Sequence, residues 1–214
     1  FRVGNYGMHK WSDLFTERQL VALVAYSELI GEAKKRVCID AEIVGIPFDM
    51  KGLADGGRGT ASYADAVAVY LSLALSRLTD ICNSLCRWEV TRTQVRNLFA
   101  RQAISMLWDF AENNVFGEAA GDYIVSLTNM VTALLAVPAA GHGVSQQFAA
   151  QDQKISSGKI VSTDPPYYDN IGYADLSDFF YVWIRHSLRE TYPDLFATVT
   201  VPKTDELVAT PRRH

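Results

Sequence analysis

The sequence predicts an α/β fold that is rich in helices and has few strands. Several long segments carry apolar residues at helical spacing, whereas only short runs have the composition of strands. Of the 214 residues, 49% are hydrophobic and 21% are charged, so the chain can bury a sizeable core. We expect one continuous domain, mainly helical over residues 1–150 and with a strand, a corner and a helix over residues 151–214.

Two helices are predicted in the first half of the chain. Thr16-Glu17-Arg18-Gln19 is a capping box, and the apolar residues after it predict a helix that ends near Lys35. Residues 63–85 are apolar on most sides, as expected for a helix packed in the centre of a domain.

Two further helices are predicted before residue 140. Thr91-Arg92-Thr93-Gln94 repeats the capping pattern, and an apolar stripe follows it at helical spacing, formed by Val95, Phe99, Ala103, Met106 and Phe110. Residues 123–137 predict another helix, which ends before Pro138 because proline cannot continue it.

Three short segments are predicted as strands, namely residues 144–148, 159–163 and 196–201. Between the last two lies an amphipathic helix whose aromatic side chains are expected to pack on the sheet, carried by Leu176, Phe179, Phe180, Trp183, Ile184 and Leu188. Many helices per strand are consistent with a doubly wound domain whose first strands lie outside the chain.

A proline-stiffened corner follows the predicted strand 159–163, with the sequence Asp164-Pro165-Pro166-Tyr167. Consecutive prolines forbid both a helix and a continued strand ladder, and they push the residues before them out of the helical region. The Asp164 carboxylate and the Pro165 carbonyl can therefore converge on the two hydrogens of one planar amino group, with Tyr167 as a flat face beside it. The alternative is a rigid turn with a packed tyrosine.

Other side chains lie close to this corner in sequence. Asn170 and Tyr173 are candidates for the same binding pocket. Tyr168 is a further candidate, and the sequence does not separate its role from that of Tyr167.

The corner and its flanks resemble a known family. The resemblance rests on residues 164–167 and 171–185 and extends upstream over residues 6–8, 13–20, 52–59, 63–67, 99–103 and 108–109. These segments are similar to the adenine-specific DNA methylases whose full-length members also carry a zinc ribbon. The resemblance implies a Rossmann-like class I methyltransferase fold, S-adenosyl-L-methionine as the cofactor, and DNA as the partner. It places Asp164, Pro165, Pro166 and Tyr167 where the family grips the target adenine.

Two other functions stay open at this point. One is a non-catalytic nucleic-acid-binding or assembly module that keeps the corner but binds no methyl donor. The other is a methyltransferase for cytosine or protein glutamine, because similar corners serve those amines. Asp164 favours adenine, since Asn is commoner at this position in the glutamine enzymes and Ser in the cytosine enzymes.

The donor-binding element of the family is not found in this sequence. The glycine-rich candidate is the loop 55–59, in which Gly56, Gly57 and Gly59 could approach a cofactor, but it reads equally as a flexible connection. The family's pattern places the cofactor motif upstream. We therefore expect a piece of a longer protein that is inactive without its missing remainder.

The formal net charge is −4, so DNA contacts require local basic patches. The candidates are residues 34–36, the series Arg87, Arg92, Arg96 and Arg101, and the pair Arg185 and Arg189, although such charges are more often part of a solvated helix face.

Cysteine usage and hydropathy indicate a cytoplasmic protein. Three cysteines without a paired framework or a secretory signal favour a reducing compartment. Cys82 and Cys86 are expected to be buried on one helix face, and no metal site is predicted. The longest apolar run, residues 66–75, is too short to span a membrane.

Overall fold

The computed structural model describes residues 2–138, 141, 143–146, 148–168, 171–204 and 206–209. Within them lie four helices, α1 (Glu17–Ile43), α2 (Thr60–Ile81), α3 (Tyr123–Ala136) and α4 (Tyr173–Leu188), and one antiparallel hairpin of β1 (Arg87–Glu89) and β2 (Gln94–Arg96). Short 3-10 helices cover Arg2–Tyr6, Trp11–Leu14 and Leu98–Ala100. The expected excess of helices over strands is confirmed, but the described residues form no Rossmann sheet.

Helix α1 begins where its capping box predicts and continues past the predicted end. The Thr16 hydroxyl accepts from the Gln19 backbone N–H, and the Gln19 side chain accepts from the Thr16 N–H at 2.8 Å. The helix does not stop near Lys35 but continues to Ile43, because the residues between them can all adopt a helical conformation. It ends at Ile43, and Gly45 just beyond has a φ of +91°, which suits glycine, with the Ile46 N–H bonded back to the Ala41 carbonyl.

Helix α2 lies at the centre of the domain. It packs against α1, α3 and α4, and Ala74, Leu75 and Leu78 on its buried faces are inaccessible to solvent. Its end is closed by Asn83, whose side-chain amide donates to the carbonyls of Thr79 and Asp80. The central helix predicted for residues 63–85 is confirmed with shifted bounds.

The helix predicted after Thr91 is wrong, because the hairpin occupies that segment. Thr93 lies in the left-handed region at φ 47°, between β1 and β2, and Val90 and Val95 favour extended backbone. Beyond β2, the Asp80 carboxylate accepts from the Asn97 side chain at 2.7 Å and from the Phe99 N–H at 2.8 Å. These bonds hold a 3-10 turn where a helix was expected.

The three predicted strands are also absent among the described residues. The described parts of 144–148, together with 159–163 and 196–201, have no regular secondary structure. In the last of these segments the carbonyls of Phe196 and Thr198 accept from the Arg185 side chain, at 3.1 and 2.9 Å. A helix side chain therefore satisfies groups that a neighbouring strand was expected to bind.

Helices α3 and α4 complete the domain and match the predicted positions closely. The Asp122 side chain caps α3 by accepting from the Val125 N–H at 2.7 Å. In α4, Phe179 and Trp183 are buried as expected, but they pack on other helices and aromatic rings and not on a sheet. Phe15 stacks on Phe179 at a centroid distance of 5.6 Å and meets Trp183 edge-on at 5.4 Å.

The central position of α2 generates a stability prediction. Leu75 is 0% exposed and Leu73, on the same helix, is 43% exposed. We expect Leu75→Ala to lower the free energy of unfolding by about 2–5 kcal/mol, because it leaves a cavity among three helices. Leu73→Ala is the matched control and should change it by less than about 0.5 kcal/mol in urea titrations. Equal effects of the two substitutions would contradict the central packing of α2.

Candidate functional site

The corner formed by residues 164–167 lies on the surface just before α4. Asp164, Pro165, Pro166 and Tyr167 are all exposed, and the backbone around them has no regular secondary structure. The interior packing expected of a purely structural tyrosine is not seen, since the Tyr167 side chain is 60% exposed. The corner is therefore accessible to a ligand.

A C-terminal segment, residues 196–204 and 206–209, is bonded to α4 and to Tyr168, the residue that follows the corner. We call it the return segment, because it runs along α4 in the reverse direction. Near the end of α4, Arg185 donates to Phe196 and Thr198. One to two turns earlier, the Asp178 carboxylate accepts from the Val201 N–H at 2.8 Å and pairs with Lys203 at 2.7 Å.

The return segment then reaches both the start of α4 and the corner. The Glu206 carboxylate accepts from the Ala174 N–H at 2.8 Å, in the first turn of α4, where the helix dipole favours a negative charge. Gly172, at the N-cap, offers no capping side chain, so Glu206 takes this place. The Ala209 N–H donates to the Tyr168 carbonyl at 2.7 Å. The end of the corner is thus fastened to the helix by one short stretch of backbone.

The acceptors expected to bind an amino group are not engaged by the protein. Among the described residues, no hydrogen bond or ion pair involves the Asp164 carboxylate, the Pro165 carbonyl or the Tyr167 hydroxyl. Accepting groups that face solvent are available to a donor from outside the chain.

The remaining predicted pocket residues have different positions. Tyr168 is exposed, and its carbonyl holds the return segment, which gives it a structural function that Tyr167 lacks. Tyr173 is the first residue of α4, and its side chain is partly exposed. Asn170 lies outside the described residues.

In the glycine-rich loop before α2, close contacts and backbone conformation explain the glycines. A Cβ at Gly57 would lie 1.9 Å from the Lys51 carbonyl oxygen, and one at Gly59 would lie 2.3 Å from Asp49 Cβ. Gly56 has a φ of +76° and faces open space. The loop is anchored by Asp65, which accepts from the Leu53 N–H at 2.9 Å. These contacts explain the glycines without a cofactor, whose binding here stays a prediction.

The two cysteines after α2, Cys82 and Cys86, are buried as expected, but they do not share a helix face, because α2 ends at Ile81. Burial raises the pKa of Cys82 to about 12, with smaller contributions from Cys86 and Glu112. Burial also raises the pKa of Cys86 to about 11, against a smaller lowering by the Asn83 backbone. Cys38 on α1 is only half-buried. Both buried thiols therefore stay protonated at neutral pH, as expected for apolar packing.

The described parts of the chain contain no group of three or more His, Cys, Asp and Glu side chains arranged to hold a metal ion. Nor does any helix within them have the length and apolar character needed to cross a membrane.

Comparisons of this chain with protein families, with curated proteins and with solved structures found no significant match. The resemblance of the corner and its flanks to the DNA methylases therefore rests on the motif residues themselves.

Sequence reasoning identified the corner but not the groups that hold it. Glu206 and Ala209 were not singled out, because their partners lie more than 30 residues away along the chain. The only available signal was the missing cap at Gly172, which leaves the first turn of α4 in need of an external acceptor.

The buried thiols generate a prediction for alkaline pH. An unfolded thiol deprotonates near pH 9, whereas the folded values are about 11 and 12. Above pH 9 the unfolded state therefore binds fewer protons than the folded state, and the free energy of unfolding falls as the pH rises. We expect a loss of about 1 kcal/mol per buried thiol between pH 8 and pH 10, measured by urea unfolding.

The control compares two variants of this experiment. Cys82→Ala should reduce the alkaline loss, whereas Cys38→Ala should leave it as in the unmodified protein. An identical pH dependence in all three proteins would contradict the assignment to the buried thiols.

Proposed function

We propose that this chain contributes the base-binding corner of a methyltransferase that methylates the exocyclic amino group of adenine in DNA. The observation that carries the proposal is the exposed corner, residues 164–167, whose acceptors have no partner among the described residues and whose neighbour Tyr168 is bonded to the return segment.

The chemistry follows from those acceptors. The Asp164 carboxylate and the Pro165 carbonyl accept the two hydrogens of the adenine amine, which favours a pyramidal nitrogen and frees its lone pair. S-adenosyl-L-methionine, when bound, supplies an electrophilic methyl group on a sulfonium. A donor bound beside the corner would give that methyl group to the nitrogen and keep the electron pair of the broken S–CH₃ bond on its sulfur. Asp164 or water would then take the proton that the methylated nitrogen loses. No strong general base is needed.

The exposed ring of Tyr167 supports binding of a flipped base. A stacked adenine cannot reach the corner, so it must leave the duplex at a cost of a few kcal/mol. Stacking on an aromatic side chain returns about 1–3 kcal/mol per base. Tyr167 thus offsets part of the flipping cost.

The segment before the corner supports a partner that supplies the donor-binding sheet. Ile160 is fully exposed, Val161 is exposed, and the backbone of residues 160–163 makes no hydrogen bond among the described residues. An apolar extended segment of this kind fits the edge of a sheet, where strand addition satisfies its backbone. In our proposal, polypeptide outside these 214 residues provides that sheet and the S-adenosyl-L-methionine site.

The roles of the corner residues are tested in the complete protein, with radiolabelled donor and a duplex containing adenine. We expect Asp164→Ala to lower kcat by at least about 100-fold, because one of the two acceptors for the amine is lost. Tyr167→Ala should lower kcat/KM by about 5- to 150-fold through lost stacking.

Tyr63→Ala is the matched control for Tyr167→Ala, because Tyr63 on α2 is similarly exposed, at 51% against 60%. It should leave methyl transfer unchanged. Full activity in both corner variants would refute the proposed roles, as would a product methylated on cytosine or protein in place of adenine.

A second function, the non-catalytic nucleic-acid-binding module, is favoured by the fact that the described residues form no donor-binding sheet. Calorimetry with S-adenosyl-L-methionine separates the two. We expect no heat with the 214-residue chain alone and donor binding once the complete protein is used. Absence of binding and of thermal stabilisation in the complete protein would favour the module.

A further inference from the structure

Several of the cations considered for phosphate contact are engaged within the protein. Lys34 forms an ion pair with the buried Asp65 at 2.6 Å. Arg36 pairs with Asp40 one helical turn away at 3.0 Å. Arg185 donates to two backbone carbonyls of the return segment. These side chains stabilise the fold and are poorly placed to bind a ligand.

The hairpin is different, because it concentrates cations that the fold does not use. Arg87 and Arg92 have no ion pair or side-chain hydrogen bond among the described residues, and Arg92 lies in the exposed turn. Arg87 is directly opposite Arg96 in the β1–β2 register. Like charges in this position destabilise a strand pair, so the pairing works against the hairpin's own stability.

Arg77 of α2 adds a further cation beside the hairpin. With Arg96 it lines a cleft of about 180 Å³, which we call the arginine cleft, whose wall also includes the side chains of Gln94 and Asn97. Arg77 is exposed and has no ion-pair partner in the described part of the chain. Guanidinium and amide groups around one opening supply the donors that phosphate oxygens bind.

The carboxylates near the cleft offset only part of its charge. Asp80 lines the cleft, and its oxygens accept from the neutral Asn97 amide and the Phe99 N–H, so it keeps its negative charge and offsets one arginine. Glu89 lies 3.6 Å from Arg96 and offsets a second, which leaves the positive charge in excess among the hairpin and cleft arginines, Arg77, Arg87, Arg92 and Arg96.

We propose that the arginine cleft, with Arg87 and Arg92, binds the sugar-phosphate backbone of the DNA substrate. The inference rests on the proposed function for the identity of the polymer. Cations spread over both strands, the turn and α2 match a chain of phosphates better than one isolated anion, and an acidic protein needs such a local patch to hold DNA.

The salt dependence of DNA binding tests this site independently of methyl transfer. The complete protein is titrated into a fluorescent duplex at several salt concentrations, and log K is plotted against log salt. The variant Arg77→Gln/Arg87→Gln keeps the Glu89 pair of Arg96 intact. We expect its slope to be smaller by about 2 and its affinity in low salt to be weaker by about tenfold, because two phosphate contacts are lost.

Lys35→Gln/Arg36→Gln is the matched control, since it removes the same charge from an exposed part of α1. It should leave the slope unchanged. If the double cleft variant fails to fold by circular dichroism, Arg92→Gln in the exposed turn replaces it, with an expected slope change of about 1. An unchanged slope in the folded cleft variant, an equal change in the control, or no DNA binding by the unmodified protein overturns the inference.

The corner variants separate this inference from the proposed function. Asp164→Ala should abolish methyl transfer and keep the salt slope of the unmodified protein. If the salt slope depends on the arginines but the complete protein methylates no adenine, the proposed function is refuted and the phosphate site is retained. If the complete protein methylates adenine but its salt slope does not change when the arginines are replaced, the phosphate site is wrong and the proposed function stands.

Discussion

The burial of Phe179 is the interaction on which the rest of the structure depends. Its ring is 1% exposed and contacts Phe15 at 5.6 Å and Phe99 at 5.3 Å, with Trp11 at 6.1 Å. These rings come from the segment before α1 and from the 3-10 turn after the hairpin, so one side chain joins two distant parts of the chain to α4. Aromatic pairs add to the free energy of burial beyond their area. The cluster adds to the direct packing of α4 on α2 and α1.

Fixing α4 also fixes the surface that carries the proposed chemistry. The return segment is fastened along α4 by Arg185, Asp178 and the first turn of the helix, and its last described residue holds the Tyr168 carbonyl. The prolines make the corner stiff, but stiffness does not decide where a corner points. The hydrogen bonds along α4 hold Tyr168, the residue that follows the corner, and two of them use carbonyls of the segment 196–201 that was expected to form a strand.

The distribution of charge divides the cations into two groups with different functions. Lys34 and Arg185 are bound to buried or backbone acceptors, and their loss would leave those acceptors unsatisfied. Arg87 and Arg77 satisfy nothing within the described chain and increase the repulsion beside Arg96. Natural sequences tolerate local repulsion of this kind where a ligand relieves it. In our proposal, a nucleic acid supplies the compensating charge.

The sequence by itself determined the local features. The Thr16 capping box, the end of α3 before Pro138 and the proline-stiffened corner each depend on residues within one or two turns of one another. Only the tertiary structure decided which backbone conformation residues 91–110 and the three expected strands adopt. The Asp80 carboxylate accepts a hydrogen bond from the Phe99 N–H, and the Arg185 side chain donates to carbonyls of the return segment. A pattern of residues shows which secondary structure a segment is able to form. A strand, however, also needs a neighbouring chain segment to satisfy its backbone hydrogen bonds. In this protein the groups that satisfy those bonds lie far away in the sequence.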